Sequence, residues 1–235
     1  MIVRKSQERG SFDHRWLKTF HTFSFGQYFD PDFTGYSVLR VINEDRIRGG
    51  RGFAMHGHED MEIITYIIDG AVEHKDNMGE ATVVRAGQVQ RMTAGTGVRH
   101  SETNHLPDRE THLLQIWIMP QVNSLEPSYE QKDFSKSREN LYLIVSRDGR
   151  EGSVSIHQDV DIYVGRVQDT PLILQLPLLS SRQGWVQMVN GKVKLTANGK
   201  DSVKIQAGDG VAIDGANEVK AHCEPNTHFL FFDLP

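Results

Sequence analysis

The sequence predicts an all-β fold made of two tandem barrels, and three observations carry that expectation. Short runs rich in β-branched and aromatic residues recur at near-regular spacing, with turn residues between them. The turn residues themselves repeat: Gly70 answers to Gly191, Gly79 to Gly199 and Ala86-Gly87 to Ala207-Gly208, at offsets of 121, 120 and 121 residues. Helix signals are weak, the best being the short polar stretch Asp133–Asn140, long enough for one or two turns between the halves.

Each predicted strand has a local reason. Met61–Ile68 is β-branched and aromatic and stops at the turn pair Asp69-Gly70. Ala81–Arg85 follows the turn around Asn77-Met-Gly79 and stops at Ala86-Gly87. His112–Met119 alternates and then meets Pro120. Further strands are expected at Leu141–Val145, Val154–Ile156, Ile162–Val167, Val186–Val189, Val193–Thr196, Val203–Ile205, Gly210–Ile213 and Phe229–Phe232.

A repeat near 120 residues is too long for a solenoid unit and suits two copies of a small barrel. Any β protein can align glycine turns by chance, but three matches in one frame favour duplication. The expected domains are 1–130 and 131–235, with the boundary in the polar region 125–150.

Composition excludes several classes. The net charge of −5 and pI near 6.1 give no basic field for a nucleic acid, and Arg46, Arg48 and Arg51 read as a solvated loop. The single cysteine, Cys223, forbids an intrachain disulfide and fits a reducing compartment; with no paired histidine or basic context of the kind that marks a nucleophile, it is no catalytic candidate. The charged N-terminus is unlike a signal peptide, and no apolar run approaches the ~20 residues of a membrane span. A soluble, cytoplasmic monomer is expected, with no direct nucleic-acid or membrane contact.

The chemistry concentrates in two motifs. In His56-Gly-His58 the imidazoles stand two apart, so on a strand both rings face one side and can chelate one ion. His100-Ser-Glu102 repeats the spacing 42 residues after His58. Together they offer three neutral nitrogens and one carboxylate, leaving room at an ion for water or substrate, as a catalytic site requires. A lone His-x-His is common in loops; the surrounding Gly50, Gly70, Gly87, Gly95, Gly97 and Asn104 make this pair more than that. The cluster Phe20, Phe23, Phe25 and Phe29 reads first as barrel packing, and alternatively as the wall of an apolar cavity. His112 and His157 read as satisfied strand histidines, having no companion at ligand spacing.

These motifs resemble the two signatures of the cupin superfamily. More narrowly, His56-Gly-His58-Glu-Asp-Met-Glu62-Ile-Ile-Thr-Tyr and Met92-Thr-Ala-Gly-Thr-Gly-Val-Arg-His100-Ser-Glu102 resemble the pirin family. His21-Thr-Phe-Ser-Phe25 through Pro31 and Leu39-Arg-Val-Ile-Asn43 resemble it too. The resemblance is strong over the first 120 residues and rests on strand pattern beyond them. It implies two double-stranded β-helix (jelly-roll) barrels, with metal ligands His56, His58, His100 and Glu102 in the first. Compared with the general cupin pattern, Glu62 stands one residue early and His100 two residues late, and pirins share both changes. Glu62 is then expected to support the site rather than bind metal. Gly57, where typical pirins carry proline, is expected to loosen a turn without removing a ligand.

The 121-residue frame carries His56, His58 and His100 onto Pro177, Leu179 and Ala221, none of which binds metal, and the neighbouring His222 has no partners. One divalent transition metal per chain follows. The resemblance favours Fe(II), with zinc, copper, nickel or manganese also compatible. It implies a quercetin 2,3-dioxygenase activity on a planar flavonol-like or enol substrate and O2, with Glu102 as catalytic base. The alternative is a metal- or redox-sensing protein that acts through protein partners in transcription or stress response.

Overall fold

The computed structural model describes residues 1–235. Alternation and β-branching resolve into 22 strands. The first are β1 (Ile2–Arg4), β2 (Gly10–Asp13), β3 (Leu17–His21), β4 (Leu39–Ile47), β5 (Gly52–His58), β6 (Glu62–Asp69) and β7 (Ala71–Asp76). Then come β8 (Ala81–Arg85), β9 (Gln88–Thr93), β10 (Val98–Asn104), β11 (Thr111–Ile118), β12 (Ser128–Asp133), β13 (Leu141–Ser146) and β14 (Val154–Ser155). The last are β15 (Asp161–Val167), β16 (Leu172–Leu176), β17 (Gln183–Asn190), β18 (Lys192–Ala197), β19 (Asp201–Gln206), β20 (Gly210–Ile213), β21 (Val219–Cys223) and β22 (Thr227–Leu234). The helical turns expected at 133–140 are absent. Asp133 Oδ1 instead accepts from the Ser135 amide at 2.8 Å, which closes a local turn where a helix would have to start.

Two compact units form. One comprises Gly10–Lys136 with Val154–Gln158, the other Met1–Arg9, Ser137–Ser153 and Asp159–Pro235. A single cut at 130 therefore does not describe them. The first nine residues count with the C-terminal unit because β1 pairs antiparallel with β20, a partner that lies some 200 residues away and is invisible to local pattern.

The N-terminal unit holds a seven-stranded sheet in the order β12-β9-β6-β11-β4-β3-β2 and a four-stranded sheet, β5-β10-β7-β8. The C-terminal unit runs β1-β20-β17-β22-β15-β13 in its larger sheet and β16-β21-β18-β19 in its smaller one. Strand for strand the plan repeats. Its turns repeat as well: Ala86 N–H bonds the Gly70 carbonyl and Ala207 N–H the Gly191 carbonyl, both at 3.1 Å. Gly70 (φ +90°) and Gly191 (φ +77°) sit where side-chain-bearing residues are strained, and a Cβ would strike Thr111 and Thr227 respectively.

Strand β10 shows how alternation positions the site. Val98, His100, Glu102 and Asn104 are buried while Arg99, Ser101 and Thr103 are not, so one face of a single strand carries both polar ligand candidates inward. In the N-terminal unit Leu17, Ile47, Ile67, Val72, Val84 and Leu113 pack one apolar cluster. Its interior is otherwise interrupted by polar side chains. The C-terminal interior is a single large apolar cluster that includes Leu195, Val219, Ala221 and Phe231.

Candidate metal centre

Strands β5 and β10 bring three of the four predicted ligands, His56, His58 and His100, into one group, while Glu102 falls in a second group that shares only His100 with the first. His56 stands directly opposite His100 in the antiparallel ladder, and His58 opposite Val98. The three imidazoles of His56, His58 and His100 lie with ring centroids 4.5–4.9 Å apart, and their nitrogens form one group within metal-binding reach of each other. Between His100 and Glu102 the ladder shifts: Glu102 pairs with Phe53, so β5 bulges at Ala54 and Met55, both exposed. A bulge here re-aims His56 and His58 inward after the irregularity. Gly57 lies within this strand rather than in a turn, and a Cβ there would meet only ordinary contacts, the nearest at 3.8 Å.

Glu102 is 2 % exposed and held at both oxygens, by Thr65 Oγ1 at 3.2 Å and Gln115 Nε2 at 2.7 Å. It groups with His100 and with His74, a residue the sequence reading passed over. His74 is fully buried on β7, opposite Glu102 in register. Its Nε2 faces Asp76 Oδ2 at 3.0 Å and its Nδ1 faces His100 Nδ1 at 3.4 Å. A carboxylate accepts only, so in the neutral His74 ring Nε2 carries the proton and Nδ1 is an acceptor, which the His100 tautomer with its proton on Nδ1 complements. Gln90 also approaches His74 Nδ1, at 3.2 Å. The inward alternation Val72, His74, Asp76 was the available signal, but nothing local says which strand lies beside it.

These bonds decide where lone pairs point. His56 Nδ1 donates to the Ala54 carbonyl at 2.8 Å, leaving its Nε2 unprotonated in the neutral ring. His100 Nε2 is likewise a lone-pair nitrogen, and the two face each other at 3.1 Å. Two acceptors so disposed fit a shared cation. With metal–nitrogen bonds of about 2.0–2.1 Å, two ligands at a right angle stand about 3 Å apart, so the donor set fits a divalent transition metal. Burial pushes His58 down to about 4 and His100 to about 3, with neighbouring imidazoles adding to it, so both rings are neutral donors at physiological pH.

His56, His58 and Glu102 line a cavity of about 750 Å³ with Trp16, Phe25, Phe53 and Trp117 among its walls. Phe25 meets Trp117 edge-on at 5.3 Å, and Trp117 meets His58 at 5.0 Å. Of the N-terminal phenylalanines, then, Phe25 is a cavity wall, Phe23 is core, and Phe29 is exposed. Arg51, from the basic loop, also lines this cavity. Glu62 is fully buried and faces His157 Nδ1 at 3.3 Å and Arg91 Nε at 4.0 Å, outside the metal-binding groups. His112 bonds Glu44 at 2.9 Å.

In the C-terminal unit the ladder places Leu176 opposite Val219, as His56 stands opposite His100. Ala221 takes the rung of Glu102 rather than of His100, since Ala221 pairs Leu195 as Glu102 pairs His74. The 121-residue frame slips because the chain takes two residues fewer from the rung of Ile213 to that of Val219 than from the matching rung of Met92 to that of His100. His222 bonds Thr196 at 3.4 Å. Cys223 is buried, and burial pushes its thiol up to about 12.

Residues 2–118 match the family model described as Pirin, and residues 143–234 match that of a quercetinase C-terminal cupin domain. Over its whole length the chain is 45% identical to a protein named quercetin 2,3-dioxygenase from Escherichia coli K12, covering 99% of that protein. It is 40% identical to a putative quercetin 2,3-dioxygenase from Pasteurella multocida, over 99% of this chain and 98% of that protein. Among solved structures, YhhW from Escherichia coli superposes with a TM-score of 0.92 at 44% identity, over 100% of this chain and 97% of that one. A second structure is described as the bacterial pirin YhhW in complex with nickel(II); it superposes with a TM-score of 0.91 at 43% identity, over 100% and 98% of the two chains.

Proposed function

The chain belongs to the pirin family, and from that premise we propose that it is a metal-dependent dioxygenase of the quercetin 2,3-dioxygenase type, opening the flavonol heterocycle with O2 and releasing CO. One observation carries the reading: the imidazole cluster and Glu102 open, through His56, His58 and Glu102, onto a cavity of about 750 Å³ with aromatic walls, a volume suited to a planar small molecule. A sensor working through a partner surface needs no such cavity beside its metal.

His56, His58, His100 and Glu102 would hold one divalent transition metal per chain, with Fe(II) the first candidate and nickel, copper, manganese or zinc compatible with the same donors. When bound, the ion supplies Lewis acidity that lowers the pKa of the substrate hydroxyl, and a path for electron exchange with O2. The chain's own residues do the rest. Glu102 accepts the proton of that hydroxyl as general base. Thr65 and Gln115 keep its carboxylate aimed while it does so. The Asp76–His74–His100 chain favours the His100 tautomer whose Nε2 presents its lone pair. Trp16, Phe25, Phe53 and Trp117 bury the flat ring and exclude water from the reacting centre.

The test loads anaerobically purified protein with one metal at a time, measures bound metal by elemental analysis, and follows O2 uptake and CO release with quercetin. Glu102→Gln should lower kcat by about 10²- to 10⁴-fold, the usual contribution of a positioned base, and His58→Ala should lose the metal. Turnover unaffected by either substitution overturns the reading.

A further inference from the structure

The same cavity holds polar atoms that the metal chemistry leaves unused. Asn43 and Asp45 lie two apart on β4, both buried, at 4 % and 2 % exposure, and both line the cavity with Trp117 of β11. Asn43 Oδ1, Asp45 Oδ1 and Trp117 Nε1 are buried without a hydrogen-bond partner. The other side of the Asp45 carboxyl takes a bond from Thr19. Leaving such atoms unpaired costs about 1–3 kcal/mol each, so three around one cavity need a reason. A bound ligand that pairs them supplies one.

We propose that Asn43, Asp45 and Trp117 form a hydroxyl-reading wall that selects polyhydroxylated aromatic ligands, taking ring hydroxyls other than the one next to the metal. The inference rests on the dioxygenase reading for its ligand class. The match is chemical. Two of the atoms are acceptors and the indole N–H is a donor, while a phenolic hydroxyl both donates and accepts. A ligand with several ring hydroxyls can satisfy all three at once, and an apolar aromatic can satisfy none. Asn43 stands directly opposite Gln115, which holds Glu102, and Trp117 stands against His58, so the wall adjoins the metal cluster. Burial pushes Asp45 up to about 7, so near neutrality its carboxyl can exchange roles with a hydroxyl.

Binding, rather than turnover, is the direct measurement. Quercetin and the parent flavonol carrying only the 3-hydroxyl are titrated anaerobically by calorimetry into metal-loaded wild type, Asn43→Leu, Asp45→Leu and Trp117→Phe. Wild type should prefer quercetin at least about tenfold, since a site built to bond a hydroxyl rejects the analogue that lacks it. Each variant should bring that ratio towards one. Ligand-free Asn43→Leu should melt no lower than wild type, because an unpaired polar atom has been replaced by an apolar one. The proposal is overturned if wild type binds neither flavonol or shows no preference, if all three variants keep the preference, or if Asn43→Leu loses it only with a large fall in melting temperature. Admitting air to the same samples tests the dioxygenase reading separately. Preferential binding without O2 uptake removes the oxidation and leaves the wall. Equal binding with uptake removes the wall and leaves the oxidation.

Discussion

Around the interior of the N-terminal barrel, matched ladder positions carry Thr65, Gln90, Gln115, His74, His100 and Glu102. At the same rungs the C-terminal barrel carries Val186, Val211, Phe231, Leu195, Val219 and Ala221. The rung of Asp45 holds Gly165, whose missing side chain is replaced by the ring of Phe229; a Cβ there would lie 2.1 Å from that ring. The bulge that turns His56 and His58 inward has no counterpart in the regular β16–β21 ladder. One strand plan therefore supports two interiors. A filled apolar interior stabilises the barrel, whereas a polar one needs every group paired or a ligand to pair it.

Exchanging residues along matched rungs tests this. The largest effect is expected from His100→Val, which installs the residue of Val219: bound metal, read by elemental analysis, should fall to background, while His222→Ala in the other barrel leaves it unchanged. Metal retained by His100→Val would break the comparison. Next, Phe231→Ala opens a cavity in the apolar barrel and should destabilise it by about 3–5 kcal/mol in denaturant melts, with metal content per folded chain unaffected. The smallest effect belongs to His74→Leu, which copies Leu195. With the tautomer relay to His100 gone, metal affinity measured by competition with a chelator should drop about 10- to 100-fold. An unchanged affinity would reduce His74 to packing.

The two His-x-His and His-x-Glu motifs were legible because a strand's period of two is a local property: residues i and i+2 share a face whatever lies beside them. The duplication was legible through Gly70 and Gly191, since a left-handed turn demands glycine at a fixed place. The frame could not be carried to single residues beyond the turns. Two residues fewer between matched rungs moved Ala221 from the rung of His100 to that of Glu102. His74, Asn43, Asp45 and Gln115 were unremarkable in sequence because each acquires its role from a residue on a neighbouring strand.

Local alternation, turn chemistry and ligand spacing thus determined, from sequence alone, an all-β duplicated chain whose candidate metal ligands all lie in one half. Only the tertiary structure decided which barrel interior is filled, that β1 pairs across the chain with β20, and that His74, Asn43 and Asp45 border the site. The reason is that strand register is a long-range quantity. It is set by which apolar face must be buried against which other face, and no window of the chain contains both.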